Sequence, residues 1–179
     1  PEVVKLGDER DGFHELLDKD GVTRGWVTGT CPHAANIRGY NGPSELLVIA
    51  DAAAEARAVA ADLLSQAEHD PDSQVVLVTD SPALADAVDQ ALEPLMASLS
   101  RRSVIEQSLA KSYTILTESL DESIRFSNDY APEHLIVNTA DAEGLLPRIR
   151  NAGSVFLGPW SPVTAGDYAS GTNHTLPTG

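Results

Sequence analysis

The chain from Leu46 to Thr79 reads LLVIADAAAEARAVAADLLSQAEHDPDSQVVLVT, with a short aliphatic run at each end. Both runs, Leu46–Ala50 and Val75–Thr79, lack polar alternation, which is typical of strands covered on both faces. Between them, apolar residues recur at the spacing of one helical face; they are Ala56, Val59, Ala60, Leu63, Leu64 and Ala67. The stretch therefore predicts a strand, a crossover helix and a second strand parallel to the first.

The same alternation of strand and helix patterns continues to residue 157. Further apolar runs predict strands at Tyr113–Thr117, Leu135–Thr139 and Ser154–Leu157. Helical patterns lie at 84–95, Asp121–Tyr130 and Asp141–Arg150. This order predicts an α/β fold, with a mainly parallel, Rossmann-like sheet of about five strands and helices on both faces.

The two ends of the chain carry weaker signals. Residues 1–41 form a poorly defined, glycine-rich N-terminal segment, in which we predict a short helix near 12–18 followed by a loop. Residues 42–179 hold the α/β domain. Within that domain, residues 159–179 contain prolines and glycines without periodicity, which predicts a long loop of the kind that is often functional.

The composition narrows the classes of function. A formal net charge of −15 repels phosphate backbones and anionic lipid, which argues against nucleic acid and membrane partners. No apolar run approaches the length of about 18 residues that a membrane-spanning helix needs. A lone cysteine, Cys31, is ordinary for a cytoplasmic protein, so we expect that location. The start at Pro1 and the end at Gly179 suggest a piece of a longer protein.

An acid and a base stand side by side at the entrance to one predicted strand. Glu133 and His134 follow Pro132 and precede the apolar run Leu135–Val137. Histidine titrates near neutral pH and a neighbouring carboxylate is a second proton carrier, so the pair suits proton-transfer chemistry. The alternative is an ordinary solvated Glu-His pair in a surface turn.

A candidate metal pair lies near the end of the helix predicted over 53–69. Gln66 and His69 are three residues apart, on the polar flank beside the apolar stripe. An amide oxygen and an imidazole at this spacing form half of a metal site, although a solvated helix end would look the same. Asp167 would complete a set of oxygen and nitrogen donors suited to zinc or to a harder first-row ion. Because ligands of open α/β folds gather at the carboxyl ends of the strands, we expect the site there.

Three other polar or glycine-rich segments are candidates for ligand contact. Ser44 lies in the turn Gly42–Glu45 ahead of the first predicted strand, and His174 shares a glycine-flanked loop with Asp167. Each side chain is equally explained by a polar turn that bonds its own backbone. Over a few residues, Gly25–Cys31 resembles the glycine-rich opening of the cobalt-precorrin methyltransferases, which leaves a small-molecule transferase as a minor alternative.

Several longer segments resemble the histidinol dehydrogenase family of zinc enzymes, which complete histidine synthesis. The segments are GPSELLVIAD (Gly42–Asp51), DLLSQAEHDPDSQ (Asp62–Gln74), SNDYAPEHL (Ser127–Leu135) and AGSVFLGPWSPVTAGDYASGTNHTLPT (Ala152–Thr178). They occur in the order of the family's own motifs. The match is therefore specific, and it extends over the predicted α/β domain.

The resemblance implies a role for each candidate residue. Gln66, His69 and Asp167 would bind zinc, and Glu133 and His134 would transfer protons. The substrate-binding set that it implies is Ser44, Gln66, His69, His134, Asp167 and His174. The reaction would oxidise L-histidinol through histidinal to L-histidine, with each oxidation passing a hydride to NAD. The resemblance also implies a homodimer.

The chain also departs from the family's pattern. Residues 1–41 do not look like the family's nicotinamide-binding segment. The family's remaining zinc-ligand histidine, contributed across a dimer, belongs to a tail beyond the LPT motif of Leu176–Thr178. We also expect the missing front half to leave an apolar edge of the sheet open. The alternative function is therefore a truncated, non-catalytic relative that binds zinc or a small molecule.

Overall fold

The structure, a computed structural model, describes the backbone of residues 2–10, 13–17, 23–28, 44–166 and 169, and the side chains of residues 4, 44–166 and 169. In these ranges, eight strands form one sheet. They are β1 (Glu2–Arg10), β2 (Phe13–Leu17), β3 (Thr23–Thr28), β4 (Glu45–Ala50), β5 (Gln74–Thr79), β6 (Tyr113–Leu116), β7 (His134–Asn138) and β8 (Ser154–Leu157). The order across the sheet is β3-β2-β1-β6-β5-β4-β7-β8.

The strands from β4 to β8 are those that the sequence predicts, and neighbours among them are parallel. The chain builds the sheet from β4 through β5 to β6 on one side, and then adds β7 and β8 on the other side of β4. All residues of β4 and β7 are buried, which explains why their sequences lack polar alternation. The predicted α/β fold with a mainly parallel sheet is confirmed.

Six α-helices accompany the strands in the described ranges. They are α1 (Ala56–Ala67), α2 (Pro82–Met96), α3 (Arg102–Leu109), α4 (Leu120–Tyr130), α5 (Ala142–Leu145) and α6 (Val163–Ala165). The sequence predicts α1, α2 and α4 but not α3, in which only Ile105 and Ser108 are buried, so that it lacks an apolar stripe. Across the described residues, none of the helices has the length and apolarity needed to span a membrane.

Two predictions near the C-terminal end need correction. The continuous helix predicted over Asp141–Arg150 is instead α5 followed by a 3-10 turn at Leu146–Arg148. Pro147 has no backbone N–H to donate, so it interrupts the α-helical hydrogen bonding. The loop predicted over 159–179 contains the short helix α6, and residues 167, 168 and 170–179 lie outside the described residues.

The helix predicted near 12–18 is wrong, because Phe13–Leu17 is the strand β2, antiparallel to both β1 and β3. Glutamate and leucine favour helix locally, but strand pairing on both sides overrides that propensity. β1 in turn pairs in parallel with β6 through four residue pairs, and Val4 is only 1% exposed. The outer edge of β6, which we expected to lie open, is therefore covered by β1 of the same chain.

The hydrophobic core has one layer on each face of the sheet. Leu63, Ile136 and Phe156 are buried in the layer under α1, α2 and α3. Leu135 and Phe126 are buried in the opposite layer, under α4 and α5. Burying one such side chain contributes about 1.5–3 kcal/mol, so these layers hold the sheet and helices together. Because neighbouring residues of a strand face opposite layers, His134 points to the same face as Ile136.

Candidate functional site

The candidate residues collect at the amino-terminal edge of the parallel strands. Ser44 lies directly before β4, and His134 is the first residue of the neighbouring strand β7. α1 runs back across the sheet, so its end, with Gln66 and His69, returns to this same edge before β5 begins. The expectation of a site at the carboxyl ends of the strands is therefore wrong. The expectation applies to residues that directly follow a strand, because those residues lie at its carboxyl end. The candidate residues instead precede strands or close a helix, which puts them at the amino-terminal edge.

A strained turn places the acid and the base at this edge. α4 ends at Tyr130, and Ala131 then adopts the left-handed conformation with φ of 52°. A residue with a Cβ pays roughly 1–2 kcal/mol for that conformation, so contacts around the turn must hold it in place. Pro132, with its fixed φ, leads from this turn into Glu133 and the first residue of β7.

The segment before β8 supplies those contacts. The N–H of Gly153 donates to the carbonyl oxygen of Pro132 at 2.9 Å, and the N–H of Ser154 donates to that of Glu133 at 2.8 Å. A Cβ on residue 153 would lie 2.7 Å from the Glu133 carbonyl oxygen, so glycine is required for this approach. Backbone packing thus fixes the position of Glu133 independently of its side chain.

The side chains of Ser44, Glu45, Glu133 and His134, together with nearby backbone groups, form a partly buried polar cluster. The Ser44 hydroxyl donates to Oε2 of Glu133 at 2.6 Å, and it lies 3.5 Å from Nδ1 of His134. Nδ1 of His134 is 3.3 Å from the carbonyl oxygen of Glu45 and 3.7 Å from Oε2 of Glu133. The N–H of Glu133 donates to Oε1 of Glu45 at 3.1 Å. The acid and the base predicted from the sequence therefore share one hydrogen-bonded cluster, which Ser44 completes.

The candidate metal pair lines a separate pocket at the end of α1. Gln66 is buried, and His69 is exposed just beyond the helix end. The residues that line this pocket are Asp62, Ser65, Gln66, His69, Pro162, Val163 and Thr164. The sequence-based prediction that Gln66 and His69 share one flank of the helix therefore agrees with the position of both at one pocket.

Apolar side chains connect the polar cluster with the pocket. The rings of His134 and Phe156 lie with their centroids 6.3 Å apart. Phe156 and Val163 belong to the same core layer, and Val163 also lines the pocket that contains Gln66. The structure thus brings Ser44 and the acid–base pair together, and it places the candidate metal pair on the same face and edge of the sheet.

The sequence profile of the histidinol dehydrogenase family matches residues 29–179 of this chain. The chain belongs to the histidinol dehydrogenase family. This confirms the resemblance carried by the motifs. The strands β1, β2 and β3 all precede residue 29, so β1, which covers the edge of β6, lies outside the part of the chain that matches the family.

Individual relatives support the same assignment. Histidinol dehydrogenase from Vibrio cholerae is 61% identical over 137 residues, which are 76% of this chain and 32% of the relative. The Pectobacterium atrosepticum histidinol dehydrogenase is 58% identical over 137 residues, or 76% of this chain and 31% of the relative. The crystal structure of histidinol dehydrogenase from Elizabethkingia anophelis gives a TM-score of 0.75 at 50% identity, over 78% of this chain and 32% of that one. The chain thus spans 32% of the length of the first of these relatives.

Two carboxylates of this histidinol dehydrogenase family member were missed by sequence reasoning. Asp62 lines the same pocket as the candidate metal pair, and burial raises the pKa of its carboxyl from 3.8 to about 6. Asp62 could have been found from the sequence, because it lies four residues before Gln66 and this spacing puts both residues on one flank of the helix. The Glu45 carboxylate accepts a hydrogen bond from the backbone N–H of Glu133. Glu45 could have been found from its position next to Ser44 in the GPSE motif.

The donor set of the pocket fits zinc, the metal that the sequence resemblance implies. An amide oxygen from Gln66 and an imidazole from His69, beside a carboxylate, are donors that zinc accepts. Within the described part of the chain, no group of three or more His, Cys, Asp or Glu residues is arranged to hold a metal ion. Asp167 and His174 lie outside the described residues, so their part in the site stays a prediction.

The described residues do not fit NAD at the turn where Rossmann-like folds bind its phosphates. The strand order reverses between β4 and β7, and residues 51–55 after β4 read DAAAE, without a glycine. The Glu55 carboxylate already accepts the N–H of Arg57 at 3.1 Å and that of Ala58 at 2.7 Å, at the start of α1. A phosphate would meet this carboxylate, so we assign no cofactor role to the turn.

Proposed function

We propose that this chain supplies the proton-transfer and zinc-binding face of a histidinol dehydrogenase, an enzyme that oxidises L-histidinol through histidinal to L-histidine. The observation that carries the proposal is the partly buried contact of Ser44, Glu133 and His134 on the same sheet edge as the Gln66 and His69 pocket. Since the chain spans 32% of the length of its Vibrio cholerae relative, the proposed activity belongs to an assembly with further polypeptide.

His134 is the proposed general base. Its Nδ1 faces the carbonyl oxygen of Glu45 at 3.3 Å, and a carbonyl only accepts hydrogen bonds, so this contact favours a proton on Nδ1. Nε2 then carries the lone pair, and it would take the hydroxyl proton of the alcohol in the first oxidation. In the second oxidation the same nitrogen would take a proton from the aldehyde hydrate.

Glu133 is the proposed activator of the water that attacks the aldehyde. Its carboxylate is oriented by the Ser44 hydroxyl at 2.6 Å, and its side chain is 17% exposed, which leaves room for a water molecule beside it. A carboxylate fixed in this way can accept a proton from water as the new C–O bond forms. Ser44 has a second proposed role in substrate binding.

The proposed zinc ligands are Gln66, His69 and Asp167. When bound, the ion would orient the imidazole and the amine of the substrate. Gln66 is only 4% exposed on α1, so its amide is held in a fixed place, whereas the exposed His69 beyond the helix end is free to adjust. His174 is proposed to line the same substrate pocket.

Two further parts of the proposal rest on the resemblance, and a third rests on the amino-acid composition. NAD is the proposed hydride acceptor, bound outside the turn that follows β4. A homodimer is proposed to complete the zinc site, and the cytoplasm is the proposed location because Cys31 is the only cysteine.

A second candidate function is that of a non-catalytic module that binds zinc or a small molecule. The observation that favours it is the turn after β4, where the Glu55 carboxylate already accepts the N–H groups of Arg57 and Ala58 at the helix start that would otherwise receive a phosphate of NAD. Such a module would keep the pocket of Gln66 and His69 and the α/β core but would turn over no substrate.

Zinc binding is tested first. Metal analysis of the purified chain after equilibration with zinc should find the ion in the parent protein and lose it in His69→Ala and Gln66→Ala. Gln90→Ala is the matched control, because Gln90 is an exposed glutamine on α2. A parent chain that binds no zinc would contradict the zinc part of both candidate functions.

Catalysis is tested by histidinol-dependent formation of reduced nicotinamide. The chain is assayed alone and with the remaining segments of a histidinol dehydrogenase added as a second polypeptide. We expect turnover in the mixture and a loss of about 100-fold or more in His134→Ala, since a general base contributes about that much. Zinc binding without turnover in the mixture would favour the non-catalytic module, and full activity of the variant would refute the role of His134.

A further inference from the structure

The zinc pocket contains a carboxylate for which the family resemblance gives no role. Asp62 lies four residues before Gln66 on α1, so these two side chains lie on one flank of the helix, and His69 follows just beyond the helix end. All three line the same pocket. Asp62 is partly buried, and within the described chain its carboxylate makes no hydrogen bond and no ion pair. Burying a carboxylate without such a partner is unfavourable. We therefore expect Asp62 to gain a hydrogen-bond partner or a cation when the pocket is occupied.

Helix geometry points to Gln66 as that partner. Side chains of an α-helix lean toward its N-terminus, so Gln66 leans toward the preceding turn, which carries Asp62. An amide has its oxygen and its NH₂ group on opposite sides of one carbon. When the oxygen turns to a metal ion, the NH₂ group turns away from the ion, and Asp62 is the carboxylate on that side of the helix. Glutamine–aspartate pairs at this spacing form hydrogen bonds on helix surfaces.

We propose that Asp62 is a positioning residue of the zinc pocket, which accepts a hydrogen bond from the Gln66 amide and holds the Gln66 oxygen toward the metal. The inference rests on the proposed zinc site and adds to it a residue outside the ligand set. Asp62 also brings a negative charge close to the cation, which favours binding of zinc over the metal-free state. It does not touch the substrate.

Zinc affinity is the direct measure of this role. Partners that orient metal ligands typically change metal affinity by about 10- to 100-fold when they are removed. We therefore expect Asp62→Ala to weaken zinc binding by about 10- to 100-fold. Asp62→Asn keeps an oxygen that accepts from Gln66 but loses the charge, so its affinity should lie between those of Asp62→Ala and the parent.

The experiment titrates zinc alone into the full chain against a chelator of known affinity, for the parent and both variants. Asp89→Asn is the matched control, because Asp89 is an exposed aspartate on α2 and its replacement makes the same change in net charge. Cobalt alone is then bound in place of zinc, since its visible absorption reports the geometry of the ligands. We expect a shifted cobalt spectrum in Asp62→Ala and an unchanged one in Asp89→Asn.

The possible outcomes separate this inference from the proposed function. If the parent binds zinc and both Asp62 variants bind it equally tightly, Asp62 has no positioning role, while the proposed zinc site stands. If the parent binds no zinc, the zinc site and this inference fall together. Circular dichroism establishes that each variant is folded, and the near-isosteric Asp62→Asn keeps the test decisive should Asp62→Ala fail to fold.

Discussion

Replacing Asp62 by asparagine should remove a pH-dependent loss of stability from the metal-free protein. Burial raises the pKa of the Asp62 carboxyl from 3.8 to about 6. Between these pH values the folded protein holds a proton on Asp62 that the unfolded chain has released. The stability of the parent therefore falls as the pH rises through this window, and it stays at the lower level above it. Asparagine has nearly the same shape and no charge, so its variant lacks this contribution.

The size of the effect follows from the pKa difference. A rise from 3.8 to about 6 is about two pKa units, and each unit corresponds to about 1.36 kcal/mol, which sets a ceiling of about 3 kcal/mol. The carboxyl is partly accessible to water, so solvent screening reduces this to about 1–2 kcal/mol. We expect the free energy of unfolding of Asp62→Asn to exceed that of the parent by this amount near neutral pH, and to match it below the lower pKa.

The assay is urea unfolding of the parent and the variant in the presence of a metal chelator, at a series of pH values. Other carboxylates contribute equally to both proteins, so the difference between the two curves isolates Asp62. Asp89→Asn should show no such pH-dependent difference, because Asp89 is exposed. A difference that is constant with pH, or a variant that is less stable at neutral pH, would refute the reasoning from burial.

Three other substitutions test the remaining features. Ser44→Ala should slow histidinol oxidation by the assembled enzyme about tenfold, because the Glu133 carboxylate loses a hydrogen bond worth about 1.5 kcal/mol; an unchanged rate would show that the turn alone orients Glu133. Gly153→Ala should lower the free energy of unfolding in urea by about 1–3 kcal/mol, since its Cβ would lie 2.7 Å from the Glu133 carbonyl oxygen; a near-zero loss would mean that the turn yields easily. Val4→Asp should separate β1 from β6, because a buried unpaired charge costs about 3 kcal/mol. Light scattering should then detect self-association through the exposed edge of β6. A monodisperse variant with the stability of the parent would contradict the pairing of β1 with β6.

Most element types between residues 44 and 157 followed from local patterns in the amino-acid sequence. The runs Leu46–Ala50 and Val75–Thr79 predicted parallel strands, because a strand buried on both faces has little room for polar side chains. The apolar stripe of α1 predicted the helix, and the same period placed Gln66 and His69 on one flank. Recognising the family needed several motifs in the right order, because each of these residues taken alone is also explained by a solvated surface position.

Contacts between segments far apart in the sequence determine the strand order and the assembly of the candidate site. Ser44, Glu133 and Gly153 meet only because β4, β7 and β8 are neighbours in the sheet, and no local pattern encodes that order. The strand at Phe13–Leu17 likewise exists because β1 and β3 pair with it, against its own helix propensity. The edge at which the site forms depends on the direction in which each segment crosses the sheet. Periodicity reports which face of an element is apolar, whereas strand order and chain direction arise when those faces pack together.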